Sequence, residues 1–180
     1  KEACERYSPK IFFLNAGNVA AAKIKIDPAA AAGADLLAAA VAAANRFPQK
    51  NAVIVDFGTV TTITAVDKDG TFLGASFIPG MGIQSKSLGL ASDNLFQIDV
   101  KAPQKILGTS TKSALESGVF FGTYGAVKYS TEKMIEEVFP EGAIIVGTGG
   151  YVKLFEDKGL LDYICPDMVI EGLLYWRGDL

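Results

Sequence analysis

An aspartate and a group of threonines follow one apolar segment of the sequence. The segment AVIVDF contains Asp56 near its end, and Gly58, Thr59, Thr61 and Thr62 come directly afterwards. A carboxylate at the end of a buried strand can bind a hard cation, and threonine hydroxyls and amides can donate hydrogen bonds to phosphate oxygens. Gly58 would let such a ligand approach the backbone closely. The pattern predicts a site for a phosphate and a cation, and an Asx turn leading into a hairpin is the alternative.

A second segment, IIVGTGG, ends an apolar run with Gly147, Gly149 and Gly150. Backbone amides at such a turn, with a helix behind it, can face an anionic or flat ligand. The spacing is not GxGxxG, so a Rossmann dinucleotide site is only weakly indicated. A tight packing turn is the alternative explanation of these glycines.

Composition limits the possible chemistry and partners. The chain of 180 residues has no histidine, so any proton transfer must use a carboxylate, Lys, Tyr or Cys. The net charge of −3 and the absence of a basic cluster argue against nucleic acid as a partner. No apolar run is long enough to span a membrane. The two cysteines, Cys4 and Cys165, match no metal spacing and indicate reduced thiols in a cytoplasmic protein.

The elements that must position these residues follow from periodicity and turn signals. Alternating runs on both sides of Asp69 and Gly70 predict a hairpin, and the alanine-rich segment 33–47 predicts a helix of small side chains. Further strands are predicted over 10–14, over 18–27 and before the glycine turn, and further helices over 112–139, after the glycine turn and over 166–178. This order predicts an α/β fold in which helices cover a sheet.

The predicted helix over 112–139 carries two unusual features. Gly118, Gly122 and Gly125 are about one turn apart and predict close helix packing. Aromatic side chains lie beside them at positions 120, 121, 124 and 129. Such a face is often a subunit interface, and a buried core helix is the alternative.

Four segments in order resemble type III pantothenate kinases, which are members of the actin-like superfamily. They are GADLLAAAVAA, VDFGTVTTITAVDKDGTFLGASFIPGM, ILGTSTKSALESGVFFG and IIVGTGGY. The resemblance implies an actin-like (ribonuclease H-like) α/β lobe with a mixed sheet, preceded by the tail end of a similar lobe. It implies a cytoplasmic homodimer that phosphorylates pantothenate with ATP, Mg²⁺ and a monovalent cation, K⁺ or NH₄⁺, as the first step of coenzyme A synthesis.

The resemblance also assigns roles to individual residues. Asp35 corresponds to the proton acceptor for the pantothenate hydroxyl, and Asp56 corresponds to the monovalent-cation ligand. A helix N-cap is the alternative role for Asp35, and the two roles can coexist. The substrate-binding positions are Gly33, Ala34, Leu36 and Thr111, and the ATP-binding positions are Gly58, Thr59, Thr61, Gly147, Gly149 and Gly150.

Two departures from the family pattern set up a competing hypothesis. The family's Asp-x-Gly-Asn-Thr motif, which binds ATP phosphates and Mg²⁺, is not matched by NAGNVA at residues 15–20, and GADR is replaced by GADL at Leu36. We therefore expect residues 1–50 to be the remnant of an N-terminal lobe and residues 51–180 to be the C-terminal lobe, with the missing motif upstream of Lys1. On this expectation the chain alone does not catalyse. The alternatives are a non-catalytic paralogue that binds or regulates, and a sugar kinase of the same superfamily.

Overall fold

The computed structural model of the protein describes residues 12–18, 24–26 and 32–178. Within these ranges, the chain forms five strands and four α-helices. In order they are α1 (Ala34–Arg46), β1 (Ala52–Phe57), β2 (Val60–Val66), β3 (Phe72–Pro79), α2 (Met81–Ala91), α3 (Thr111–Val138), β4 (Ile144–Thr148), a 3₁₀ helix (Val152–Phe155), β5 (Tyr163–Ile164) and α4 (Met168–Arg177).

The five strands form one mixed sheet in the order β3-β2-β1-β4-β5. The strands β1, β2 and β3 pair antiparallel, whereas β4 pairs parallel with both β1 and β5. The predicted hairpin joins β2 to β3, and the Asp67 carboxylate accepts hydrogen bonds from the amides of Asp69 (3.0 Å) and Thr71 (2.8 Å) in its turn. The predicted α/β fold with a mixed sheet is confirmed.

One face of the sheet is covered by α1 and α4. Eight consecutive residues of α1, Leu36 to Ala43, are buried, because α1 lies between the sheet and α4. Small side chains allow this close packing: a Cβ added to Gly172 of α4 would collide with the backbone of Ala38. Arg46 of α1 also donates hydrogen bonds to both carboxylate oxygens of Glu171 at 2.8 Å. The helix of small side chains predicted over 33–47 is confirmed.

The other face of the sheet is covered by α2 and α3. Its core contains three stacked rings: Phe155 lies between Phe57, at 4.0 Å between ring centroids, and Phe120, at 5.2 Å. The side chains of Val119 and Val127 add to this core. The sheet therefore has an aliphatic, alanine-rich core on one side and an aromatic core on the other.

Several predictions about local structure need correction. The segment after Gly150 forms a four-residue 3₁₀ helix and not an α-helix. Residues 12–14 are irregular, and the rest of the strand predicted over 10–14 lies outside the described residues. Of the strand predicted over 18–27, the described part contributes a single bridge, between Ile24 and Phe72.

The helix predicted over 112–139 is confirmed as α3, with an unexpected surface. A Cβ added to Gly118, Gly122 or Gly125 would have no described atom within 4 Å. The close helix packing predicted for these glycines is therefore not found within the described chain. Phe120 is buried in the core, so it does not contribute to the exposed aromatic face. No helix among the described residues has the length and apolar character needed to cross a membrane.

Candidate active site

Asp56 lies near the carboxyl end of the central strand β1, and its side chain is half-buried. Burial raises the pKa of this carboxyl above its ordinary value, and the negative charge of Asp35 raises it further. An electrostatic effect between two carboxylates requires them to lie close together. The sheet and α1 therefore bring the two predicted acidic residues into one site.

Asp35 lies in the first turn of α1, on the exposed side of that helix. The N-cap is Gly33, which excludes the alternative role of Asp35 as the helix N-cap. The Asp35 carboxylate instead accepts a hydrogen bond from the amide of Leu36 at 2.9 Å. The helix dipole favours a carboxylate in the first turn. The single hydrogen bond from Leu36 leaves the other oxygen of this carboxylate open to a ligand. Gly33, Ala34 and Leu36, the other residues predicted for the substrate turn, are its neighbours in the chain.

The register of the sheet places further polar groups beside Asp56. Thr62 of β2 is paired directly with Asp56, and Thr148 of β4 is paired with it on the other side. Directly paired residues share a face of the sheet, so both hydroxyls belong to the face that carries Asp56. The Thr148 hydroxyl donates to the carbonyl of Pro166 at 3.2 Å and keeps its lone pairs for another partner.

The other predicted threonines are not brought to the same place. Thr61 is paired with Phe57 and is buried on the opposite face from Asp56, where its hydroxyl oxygen has no hydrogen-bond partner among the described residues. Thr59 is exposed in the turn between β1 and β2, and Gly58 is half-buried beside it. The turn between β1 and β2 therefore lies next to Asp56. Of the predicted threonines within the strands, only Thr62 lies on the same face of the sheet as Asp56.

The three glycines after β4 differ in what surrounds them. Gly149 has a φ of +92°, and a Cβ there would collide with the Asp56 carboxylate and the Phe57 backbone. A Cβ on Gly147 would collide with the side chains of Leu161 and Val152, so this glycine is required for packing. Gly150 has open space around it. Gly149 therefore brings the backbone after β4 against Asp56.

Neither Thr111 nor the NAGN segment, which does not match the family motif, belongs to the strands that flank Asp56. Thr111 is the exposed first residue of α3, on the face of the sheet opposite to α1. The NAGN segment forms a turn in which the amide of Gly17 donates to the Asn15 side chain at 2.9 Å. Trp176 of α4 donates to the carbonyl of Asn18 at 2.8 Å and holds this turn against α4.

The residues at Asp56 have the chemistry that a hard cation requires. The pKa of Asp56 is raised chiefly by burial and further by the charge of Asp35, and a bound cation would offset both effects. Carboxylate and hydroxyl oxygens are suitable ligands for such ions. Among the described residues, no group of three or more His, Cys, Asp or Glu side chains could form a protein-only metal site. The donor set therefore fits a cation that takes part of its ligands from a substrate or from water.

Sequence reasoning missed two residues at this site, Thr148 and Phe77. Both lie on the Asp56 face through strand pairing, Thr148 opposite Asp56 and Phe77 opposite Thr62. Thr148 stands inside the GTGG segment, so the motif did contain a signal. Phe77 shares a face of β3 with Ala75, but no sequence pattern reveals which face of the sheet this is.

Two open clefts at the other end of the sheet, of about 460 and 320 Å³, share Asn51, Lys68 and Glu141. The Asn51 side chain is already used there: its amide donates to the carbonyl of Gly142 at 3.2 Å, and its oxygen accepts from the amide of Lys68 at 3.0 Å. These clefts contain none of the predicted site residues. The carboxyl end of β1 therefore remains the candidate site.

Comparison with known proteins identifies relatives of this chain. The sequence profile of type III pantothenate kinases matches residues 1–133. The type III pantothenate kinase of Legionella pneumophila (strain Corby) is 33% identical over 175 residues, which are 96% of this chain and 68% of that protein. Type III pantothenate kinase 1 of Francisella tularensis subsp. holarctica (strain OSU18) is 35% identical over 147 residues, which are 81% of this chain and 57% of that protein.

A solved structure supports the fold. A Baf family protein from Campylobacter jejuni superimposes with a TM-score of 0.51 at 20% sequence identity, over 77% of this chain and 63% of that one. At this identity the likeness concerns the fold alone, and it agrees with the predicted α/β fold with a mixed sheet. The family profile and the relatives together show that the chain belongs to the type III pantothenate kinase family.

Proposed function

We propose that the chain provides the acceptor and cation parts of an active site that transfers the γ-phosphoryl group of ATP to the 4′-hydroxyl of pantothenate. The observation that carries this proposal is the grouping of Asp56, Thr62 and the turn at Gly149 at the carboxyl end of β1, near enough to Asp35 for its charge to act on Asp56. Ligands of open α/β sheets bind at the carboxyl ends of the strands. Family membership supports a kinase that acts in coenzyme A synthesis.

Asp35 is proposed as the proton acceptor. The hydroxyl oxygen of the acceptor forms a bond to the γ-phosphorus, and the bond from that phosphorus to the β,γ-bridging oxygen breaks. ADP leaves with the electron pair of the broken bond, and the hydroxyl proton passes to an Asp35 carboxylate oxygen. Phosphoryl transfer needs mainly positioning and charge neutralisation. An exposed carboxylate held by the Leu36 amide can provide the positioning.

Asp56 is proposed as the ligand of a monovalent cation, K⁺ or NH₄⁺. Such a cation supplies positive charge that offsets the carboxylate and the phosphate oxygens when it is bound. The Thr62 hydroxyl, which shares the Asp56 face, would complete the oxygen ligands. Mg²⁺ remains a proposal from family membership, since the described residues offer only two carboxylates at this site.

The turns after β1 and β4 are proposed to bind the nucleotide. Thr59 and Gly58 lie in the first turn, and Gly149 and Gly150 lie in the second, whose backbone approaches Asp56. Gly150 has open space in which a ligand could lie. Thr61 of β2 and Gly147 of β4 would contribute to nucleotide binding indirectly, through the packing of the strands next to these turns.

The division of the chain and its association are proposals as well. We assign residues 1–50 to the end of one lobe and residues 51–180 to a second lobe, and we propose that the protein is a homodimer. The exposed face of α3, with Gly118, Gly122 and Tyr129, would form part of the interface. Light scattering that returns the mass of one chain at micromolar concentration would contradict the dimer.

The proposed function is tested by following the formation of ADP and of 4′-phosphopantothenate by the complete gene product with ATP, Mg²⁺ and K⁺. The expected result is ADP release that depends on pantothenate and equals the amount of phosphorylated product. ADP release without this dependence, or no release at all from a folded protein that binds pantothenate, would favour the non-catalytic paralogue.

A further inference from the structure

Tyr151 directly follows the glycine turn after β4, and its side chain reaches the start of α2. A Cβ added to Gly82, in the first turn of α2, would lie 3.3 Å from the Tyr151 hydroxyl oxygen. The Tyr151 amide donates to the carbonyl of Phe57 at 3.1 Å, which fixes the backbone of this residue at the end of β1. The side chain of Tyr151 therefore extends from the end of β1 to the first turn of α2.

The start of α2 also contacts the turn between β1 and β2. A Cβ on Gly80, the N-cap of α2, would collide with the carbonyl oxygens of Gly58 and Thr59. The Gly80 amide donates to the carbonyl of Thr59 at 3.1 Å. The two turns that we propose to bind the nucleotide are thus connected through the start of α2, and the Tyr151 hydroxyl lies at this connection.

The hydroxyl of Tyr151 has no hydrogen-bond partner among the described residues, although the side chain is half-buried and packs against the aromatic core. Tyr124 packs against the same core, and its hydroxyl donates to the carbonyl of Lys158 at 3.0 Å, as is usual for a tyrosine that is partly buried. Packing against the core therefore accounts for the ring of Tyr151 but leaves its hydroxyl free to bind a ligand.

The surroundings of this hydroxyl determine what kind of ligand atom it can bind. The neighbouring Gly80 and Gly82 have no side chains, and the first turn of α2 contains no acidic residue. No carboxylate of this turn therefore takes up the hydroxyl proton or repels an anionic ligand. A tyrosine hydroxyl donates to an oxygen acceptor, and a nucleotide offers two kinds, the phosphate oxygens and the ribose oxygens.

From this position and the free hydroxyl we propose that Tyr151 is a nucleotide-binding residue, whose hydroxyl donates a hydrogen bond to an oxygen of the bound nucleotide. The absence of a side chain at Gly82 provides the space that the hydroxyl occupies beside α2. This inference rests on the proposed function, since it adds a residue to the nucleotide part of the same site.

The test measures the Kd for ATP by calorimetry in the complete gene product with Mg²⁺ and K⁺, for wild type and for Tyr151→Phe, which removes only the hydroxyl. Tyr163→Phe is the matched control, because Tyr163 is 41% exposed and its ring lies against Phe47 and Lys50, which belong to neither turn. Inorganic tripolyphosphate is the second ligand, because it carries phosphate oxygens without a ribose. A melting temperature for each variant reports its stability.

We expect Tyr151→Phe to raise the Kd for ATP by roughly 3–30-fold, as for one lost hydrogen bond, with an unchanged melting temperature, and Tyr163→Phe to keep the wild-type Kd. An equal loss for tripolyphosphate would assign the bond to a phosphate oxygen, and a loss for ATP alone would assign it to the ribose.

Two results would overturn this inference alone. One is an unchanged Kd for ATP in a folded Tyr151→Phe variant, and the other is a weaker affinity that is accompanied by a lower melting temperature, which would indicate a structural role. A folded wild type that does not bind ATP would overturn the proposed function and this inference with it.

Discussion

The sheet presents different surfaces to its two layers of helices. On the face covered by α1 and α4, the carboxyl end of β1 carries Asp56 between Thr62 and Thr148. On the face covered by α2 and α3, the same end carries Phe57 beside Thr61, under a stack of aromatic rings. Adjacent residues of one strand thus belong to two different environments.

The difference explains why only one face can support chemistry. The α1 face brings two carboxylates together, and both are accessible to a ligand because Asp35 is exposed and Asp56 is half-buried. The Phe57 face buries the Thr61 hydroxyl without a partner among the described residues, at a cost of about 1–3 kcal/mol for an unsatisfied group. On the proposed function, the α1 face binds the ligands and the Phe57 face holds the loops in place.

The largest effect is expected from Asp35→Asn. The asparagine retains the hydrogen bond from Leu36 and the fold, but it cannot accept the proton of the acceptor hydroxyl. We expect kcat to fall by about 10²–10⁴-fold, the range for loss of a general base, with an unchanged melting temperature. Asp93→Asn, in an exposed loop, is the matched control and should retain wild-type kcat. An Asp35→Asn variant with wild-type kcat would show that the α1 face does not supply the base.

The next effect concerns the glycine turn. Gly149→Ala adds a Cβ at positive φ that would collide with Asp56 and Phe57, and the backbone conformation alone costs about 1–2 kcal/mol. We expect the midpoint of thermal unfolding to fall by roughly 2–8 °C in a protein of this size. Gly150→Ala, where the space is open, should change it little. Equal melting temperatures for the two variants would contradict the close approach of this turn to Asp56.

A smaller effect distinguishes the two faces directly. Thr62→Val removes the hydroxyl beside Asp56 and should raise KM for ATP or the activating concentration of K⁺ by roughly 2–10-fold, as expected for one lost hydrogen bond. Thr61→Val removes the unpartnered hydroxyl and should leave the kinetics unchanged and the stability equal or higher. Steady-state kinetics of both variants measure KM and the activating K⁺ concentration, and thermal unfolding measures their stability. The opposite assignment of the two effects would mean that the nucleotide lies on the Phe57 face.

The smallest effect is a dependence of stability on pH. The pKa of Asp56 is raised in the folded protein, chiefly by burial and also by the charge of Asp35. The folded state therefore holds this proton more tightly than the unfolded chain, and the free energy of unfolding falls as pH rises between the two pKa values. In buffer without K⁺, Asp56→Asn should be more stable than wild type above this window and should lose the advantage below it. Denaturant titrations across this pH range would show a constant difference if Asp56 were not electrostatically strained.

Much of this arrangement could be predicted from local sequence. The alanine content of α1 indicated a buried helix of small residues, and Asp69-Gly70 indicated the hairpin. The residue types around Asp56 indicated a cation or phosphate site. The face on which each threonine lies could not be predicted. Thr61 and Thr62 are adjacent and identical in type, and the pairing of β2 with β1 decides which of them lies beside Asp56.

The type of helix that follows Gly150 could also not be predicted from the local sequence. Val152 and Phe155 are both buried, and their spacing of three residues matches the period of a 3₁₀ helix. The sequence pattern does not distinguish this from the first turn of an α-helix. The N-cap was the alternative role for Asp35 because aspartate favours that position, yet the N-cap of α1 is Gly33, two residues earlier.

The K⁺ dependence of Asp56→Asn tests the central claim most directly. In the complete gene product, the rate of phosphopantothenate formation is measured as K⁺ replaces an organic cation at constant ionic strength, and the product is quantified directly so that no coupling enzyme experiences the change. The account predicts a rate that rises with K⁺ in wild type and in Asp93→Asn, and a low, flat response in a folded Asp56→Asn variant. A folded Asp56→Asn variant with the wild-type K⁺ response, or one that unfolds, would show that Asp56 only shapes the turn.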